Sequence, residues 1–188
     1  GGTLGPATLP PGTAFAVDIQ GGTLSGTGIV NASVRNNSTL RAGSPTGKLV
    51  VAGDYTQTSN GSLYVDLGGV TPGIQFDQLA IHGAATLDGL LDVSLANGFS
   101  PTSGNTFKIL EFASRSGQFA DIRGLQLGAN NNLRANYAPT DVTLVSEIVG
   151  VKIDPTFGLV TTESGGAAAF DVSLDTQPTD DVVVTLTS

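Results

Sequence analysis

Two aspartates are the first residues to consider as catalytic groups. Asp66 and Asp92 occupy outward positions on two similar segments in which apolar and polar residues alternate. Paired carboxylates hydrolyse glycosidic bonds, and the distance between them sets the mechanism. However, residues 49–107 contain no Lys or Arg to assist a lyase, and the chain has three Tyr and no Trp as sugar platforms. We therefore interpret both as ordinary solvent-facing side chains and predict no catalytic residue. A polysaccharide-acting enzyme is the alternative.

The densest acidic group is a candidate calcium site. It consists of Asp171, Asp175, Asp180 and Asp181. Calcium takes six to eight oxygen ligands, which loop carboxylates and backbone carbonyls can supply. The same residues also favour turns for conformational reasons, so a solvated acidic loop is the alternative. Calcium is the one candidate cofactor, and the sequence contains no EF-hand or nonapeptide calcium motif.

The remaining polar motifs are isolated. His82 is the single histidine and follows Ile81 on an alternating segment, which predicts that it points away from the core. A Ser-His-Asp triad needs the histidine beside an acid and a nucleophile, and no Gly-x-Ser-x-Gly segment accompanies it. Four asparagines match the N-glycosylation pattern, which we interpret as chance in an Asn-, Ser- and Thr-rich chain: Asn31, Asn36, Asn37 and Asn60.

Composition excludes several classes of function. The chain has 188 residues, no Cys and a net charge of −8, so disulfides and thiolate metal sites are absent and nucleic acid is an unfavourable partner. No apolar run approaches the roughly 18 residues of a membrane helix. Residues 1–147 carry ten acids and seven bases, whereas 148–188 carry six acids and one base. This difference predicts a domain boundary near 148.

A repeated pattern must position these side chains. Residues 49–67 and 79–95 share a pattern of Gly and branched apolar residues, which are Leu, Val or Ile. The first half of the pattern recurs after 30 residues and the second half after 28. A period of this size is typical of stacked repeat architectures. Alternation predicts strands over 14–19, 28–34, 38–42, 48–52, 54–58, 62–67, 77–82, 85–87, 90–95, 106–112, 118–122, 132–137, 142–146, 153–160, 168–174 and 181–186.

Two architectures fit this pattern, a sandwich of antiparallel hairpins and a parallel β-helix. We favour the β-helix, in which the segment 63–67 stacks on the segment 91–95. Leu63, Val65 and Leu67 then lie inside, above Leu91, Val93 and Leu95. Tyr64 and Asp66 face outward beside Asp92 and Ser94.

The segment from Gly21 to about Glu147 resembles the β-helical passenger regions of bacterial autotransporters and related surface adhesins. The matching segments are 22–28, 53–58, 76–83, 87–93, 98–101, 107–110 and 117–119. The resemblance implies an extracellular, adhesive or structural role and a right-handed parallel β-helix.

The segment 162–186 resembles the first strands of a Calx-beta-type sandwich, a module of extracellular bacterial proteins that binds calcium through later acidic loops. The matching segments are 162–166, 169–174, Pro178 and 181–186. Three strands open a sandwich without completing it, so we interpret the chain as a piece of a longer protein. The missing strands are expected either from the same chain or from a neighbouring subunit.

The sequence thus predicts an all-β protein with a parallel β-helix over 1–147 and a partial β-sandwich over 148–188. We expect a non-catalytic, extracellular, structural or adhesive segment of a bacterial surface protein, a stiff β-rod that forms fibres by strand addition. Its expected partners are further copies of itself or cell-surface glycans. A polysaccharide-acting enzyme and a calcium-stiffened spacer are the alternatives.

Overall fold

A computed structural model describes residues 17–128, 130–148, 150–175 and 182–185. All regular secondary structure in these ranges is β, and none of these residues forms a helix long and apolar enough to cross a membrane. The strands are β1 Val17–Ile19, β2 Thr23–Ser25, β3 Gly28–Val30, β4 Val34–Asn36, β5 Thr39–Arg41, β6 Lys48–Val51, β7 Tyr55–Gln57, β8 Ser62–Leu67, β9 Gln78–Ile81, β10 Ala84–Leu87, β11 Leu90–Leu95, β12 Thr106–Glu111, β13 Ser114–Gly117, β14 Asp121–Arg123, β15 Asn131–Tyr137, β16 Asp141–Ile148, β17 Val151–Asp154 and β18 Asp171–Leu174.

The chain passes through three stacked parallel sheets in turn. Sheet 1 has the order β1-β4-β7-β10-β13, sheet 2 the order β2-β5-β8-β11-β14, and sheet 3 begins with β3-β6-β9-β12. Within these orders, neighbouring strands are parallel and lie three places apart along the chain. The all-β prediction is confirmed, and the parallel pairing rules out a sandwich of antiparallel hairpins for this part of the chain.

The predicted stacking of the repeat is confirmed residue by residue. Leu63 pairs with Leu91, Val65 with Val93 and Leu67 with Leu95, while Leu49 and Val51 pair with Leu79 and Ile81. These side chains form the core, with one exception. Leu95 was predicted inside but is 40% exposed. The reason is that β14 pairs only with residues 90–92, so on that side no strand of the described residues lies beside 93–95.

The glycines of the repeat also stack, because the backbone turns pack too closely for a side chain. Gly89 has a φ of +65°, and a Cβ at this position would lie 2.3 Å from the carbonyl oxygen of Gly61. Gly83 donates its N–H to the carbonyl of Gly53. The pattern therefore repeats both the core residues and the corners between sheets.

Two of the strand predictions are wrong in detail. The predicted strand 28–34 is two strands, β3 and β4, joined by a turn. The predicted strand 118–122 is replaced by β13 and β14 on either side of a loop. β13 has the sequence Ser-Arg-Ser-Gly, which lacks apolar alternation and is extended because its backbone pairs with β10.

The stack changes character at its C-terminal end. In sheet 3, β12 pairs with β16 and β16 pairs with β15, both antiparallel. Beyond them, β17 and β18 form a separate two-stranded antiparallel sheet whose residues are all exposed. The predicted strand 153–160 overlaps β17 at residues 153 and 154 only, and the predicted strand 168–174 is shortened to β18. Of the predicted strand 181–186, the described residues 182–185 are not in a strand. The boundary predicted at 147/148 stays a prediction.

Candidate functional surface

The outer side of sheet 2 carries the predicted pair of carboxylates. We call it the sheet 2 face and define it by Arg41, Tyr64, Asp66, Asp92 and Ser94. Its residues align across the strands, with Arg41 beside Tyr64 and Tyr64 beside Asp92. Alternation places Leu40, Leu63 and Leu91 on the opposite, inner side, which explains why this face is polar.

Asp66 and Asp92 lie on this face as predicted, but they do not pair directly. Asp66 is opposite Ser94, and Asp92 is opposite Tyr64. The Ser94 hydroxyl donates a hydrogen bond to the Asp66 carboxylate, and the Arg41 guanidinium lies 4.0 Å from it. The same guanidinium stacks 4.2 Å from the centroid of the Tyr64 ring. The Asp66 carboxylate is therefore engaged by two neighbours on the same face.

A buried carboxylate behind this face was not predicted. Asp77 is 1% exposed, and its carboxylate accepts the N–H groups of Gly47 at 2.8 Å and Asp66 at 3.0 Å. Burial raises the pKa of Asp77 to about 6, while the two backbone hydrogen bonds lower it. Its charge is also opposed by the neighbouring Asp66 and favoured by Arg41. Asp77 thus ties β8 to the loop between β5 and β6.

The close fit around Asp77 explains a glycine in this loop. A Cβ on Gly43 would lie 2.0 Å from the Asp77 carboxylate. Sequence reasoning missed this contact because Asp77 is separated from the loop by about thirty residues. The only local feature that indicates a buried acid is the position of Asp77 between the apolar Phe76 and strand β9.

A second polar cluster lies inside the stack, between sheets 1 and 2. The Asn36 amide donates to the Tyr55 hydroxyl, to the Gln57 carbonyl and to the backbone carbonyl of Ser62. The Gln57 amide in turn donates to the carbonyls of Asp88 at 2.8 Å and Leu90 at 2.9 Å. Asn36, Tyr55 and Gln57 are at most 1% exposed, so we call them the buried polar cluster. It links three successive layers of the stack.

The predicted calcium ligands are only partly described. Asp171 and Asp175 are exposed, whereas Asp180 and Asp181 lie outside the described residues. Asp171 is directly opposite Asp154 in the β17–β18 pair. Across the described ranges, no three His, Asp or Glu side chains are grouped so that they could hold a metal ion. The calcium site therefore stays a prediction.

The remaining isolated residues are placed as follows. His82 is exposed, as predicted. Asn36 belongs to the buried polar cluster, which removes it as a glycosylation acceptor, and Asn37 accepts a hydrogen bond from Thr58. Asn31 and Asn60 are exposed.

No protein-family model matches the chain, and the search of curated proteins gives no match. The function must therefore be inferred from the residues and their geometry.

Proposed function

We propose that the chain is a non-catalytic structural or adhesive segment of an extracellular bacterial surface protein, built as a right-handed parallel β-helix. The observation that carries this proposal is the cyclic strand order. The chain enters sheets 1, 2 and 3 in succession four times, and the repeated segments stack in register. Continuous backbone pairing of this kind suits a stiff scaffold, because each layer is held by the layers on both sides.

A scaffold role is also supported by the chemistry of the sheet 2 face. On this face the Asp66 carboxylate is engaged by Ser94 and Arg41. A hydrolytic site needs carboxylates that are free to donate a proton or activate water. We expect the face to contact cell-surface glycans through its hydroxyls and Tyr64 without cleaving them.

Self-association is the second part of the proposal, and it concerns the β17–β18 sheet. Val151 and Ile153 face Leu174 and Val172 across the pair, so all four side chains lie on one side of the sheet. Each is about 40% exposed. A two-stranded sheet is at most marginally stable alone, and a third strand or a covering layer stabilises it.

The partner we propose for this sheet is a second copy of the chain. Residues 182–185, Val-Val-Val-Thr, are exposed and lie outside any strand, and Val183 is 87% exposed. β-Branched residues favour strands, so this segment is suited to pair with an open sheet edge. One chain therefore carries both an acceptor sheet and a donor segment, and repeated pairing between copies would build a fibre.

Sedimentation velocity over a concentration series tests the association. We expect the unmodified chain to associate, and both Leu174→Lys in the acceptor sheet and Val183→Lys in the donor segment to weaken this. Ile74→Lys is the matched control, because Ile74 is 70% exposed on a loop of the stacked sheets. A chain that stays monomeric throughout would contradict strand addition, as would equal effects of the three substitutions.

The absence of catalysis is tested separately. Incubation with a panel of neutral and acidic polysaccharides should release no reducing ends and no unsaturated uronates. Release that is abolished by Asp66→Asn or Asp92→Asn would overturn the non-catalytic assignment and establish the enzyme alternative.

A further inference from the structure

An inward-facing column of sheet 1 ends in a charged residue. The column consists of Val34, Tyr55, Ala85 and Arg115, which are successive register partners on β4, β7, β10 and β13. The first three side chains are at most 1% exposed. Arg115 therefore continues this inward column in the last strand of the sheet, where it is half-buried.

The charge of Arg115 is only partly satisfied at this position. One terminal nitrogen donates to the carbonyl of Gly117, whereas the buried Nε has no hydrogen-bond partner in the described structure. Arg115 also forms no ion pair with any described carboxylate; its charged group lies 5.0 Å from the centroid of the Tyr137 ring. An aromatic ring face attracts a cation, but less than a carboxylate would.

Tyr137 comes from the antiparallel part of sheet 3 and closes this end of the core. Its hydroxyl accepts the backbone N–H of Phe119 at 3.3 Å, and its ring packs 6.4 Å from the Phe119 ring. In the same hairpin, Arg134 and Glu147 form an ion pair at 2.7 Å. Charged residues at a sheet edge are a common defence against edge-to-edge pairing.

We propose that Arg115, together with the antiparallel hairpin β15–β16, stops the stack and prevents a second copy from adding end-on at this point. In the described structure β13 and β14 each have a strand neighbour on one side only, so their backbone groups would otherwise accept another strand. A strand added to β13 would bury the Arg115 guanidinium against an apolar core residue. Burying a charge without a partner costs far more than one backbone pairing returns.

The stop and the proposed strand addition concern different surfaces. Strand addition uses β17, β18 and residues 182–185, whereas the stop acts at β13 and β14. The stop therefore acts independently of strand addition, and it can be tested with that route blocked.

The test compares an inward and an outward arginine at the same end, in a chain that carries Leu174→Lys. Arg115→Leu removes the inward charge, and Arg123→Leu, on the exposed side of β14, is the matched control. We expect the Arg115→Leu chain to associate in sedimentation velocity with a dissociation constant at least about tenfold lower than the Arg123→Leu chain. Far-UV circular dichroism and the melting temperature establish that each variant is folded.

The inference is overturned if the Arg115→Leu chain associates no more strongly than its parent, or if Arg123→Leu has an equal effect. Should Arg115→Leu prevent folding, Arg115→Gln takes its place, because it removes the charge and keeps a polar side chain. The same result is expected of it, an association stronger than that of its parent. Arg115→Lys retains the charge and should behave as the parent does.

Discussion

The buried polar cluster makes a specific prediction for stability. Replacing Gln57 with Ala removes the amide that donates a hydrogen bond to the carbonyl of Asp88. It also removes the carbonyl oxygen that accepts a hydrogen bond from the Tyr55 hydroxyl at 2.8 Å. Tyr55 is completely buried, and burial raises the pKa of its hydroxyl, so this hydroxyl remains a neutral donor that needs an acceptor.

The magnitude follows from these contacts. A buried hydroxyl left without an acceptor costs about 1–3 kcal/mol, and each lost hydrogen bond to the Asp88 and Leu90 carbonyls about 0.5–1.5 kcal/mol. We therefore expect Gln57→Ala to lower the free energy of unfolding by about 2–6 kcal/mol. Thr56→Ala, one position away on the outer side of β7, should change it by less than about 0.5 kcal/mol.

Urea unfolding followed by tyrosine fluorescence measures both variants, because the chain has three Tyr and no Trp. A double-mutant cycle with Asn36→Ala then gives the coupling energy, expected at about 0.5–3 kcal/mol for side chains in one network. A loss below about 1 kcal/mol for Gln57→Ala, or effects of Gln57 and Asn36 that simply add, would refute the role assigned to the cluster.

Three further predictions concern pH, the stacked glycines and calcium. Because the pKa of Asp77 is raised to about 6 in the folded chain, the folded state binds its proton more tightly, and stability should increase as pH falls from 7 towards 4. The melting temperature of Asp77→Asn relative to the unmodified chain measures this, and a difference that is constant with pH would contradict it. Gly89→Ala should destabilise the chain by about 1–3 kcal/mol more than Gly98→Ala, since both have positive φ but a Cβ would meet only open space at Gly98. Equal losses of unfolding free energy for the two variants, measured by urea unfolding, would contradict the close packing of the stacked glycine turns. If calcium binds the acidic group, the melting temperature should rise when calcium is added and fall back when a chelator is added. Equal melting temperatures with calcium and with chelator would contradict calcium binding.

The sequence predicted the layers of the stack where core residues repeat. Leu63 and Leu91 are both apolar, recur at a regular spacing and alternate with polar residues, so their register could be inferred from the pattern. The outward placement of Asp66 and Asp92 followed from the same register. Alternation within each segment is sufficient to predict the register here, because the inner face of these strands is apolar and the outer face is polar.

Polar residues in core positions could not be predicted in this way. Gln57 and Arg115 both break the apolar pattern, and alternation alone assigns such residues to loops or to the outside. Gln57 is stabilised inside by carbonyls from residues 88 and 90, about thirty positions away. The half-buried Arg115 faces inward because β13 pairs with β10, which no local feature of its sequence indicates.

The distance between two outward residues at opposite ends of one column tests the stacked architecture most directly. Thr23 and Asp121 are both exposed and belong to one column on sheet 2, which continues through Thr39, Ser62 and Leu90. They are separated by four strand spacings, or about 19 Å between Cα atoms, although they are 98 positions apart in the sequence. The chain has no Cys, so spin labels on Thr23→Cys and Asp121→Cys report this pair alone in pulsed electron paramagnetic resonance. We predict one narrow distribution centred near 20–25 Å once the label arms are included, whereas a broad distribution centred beyond about 35 Å would contradict the stacked sheets.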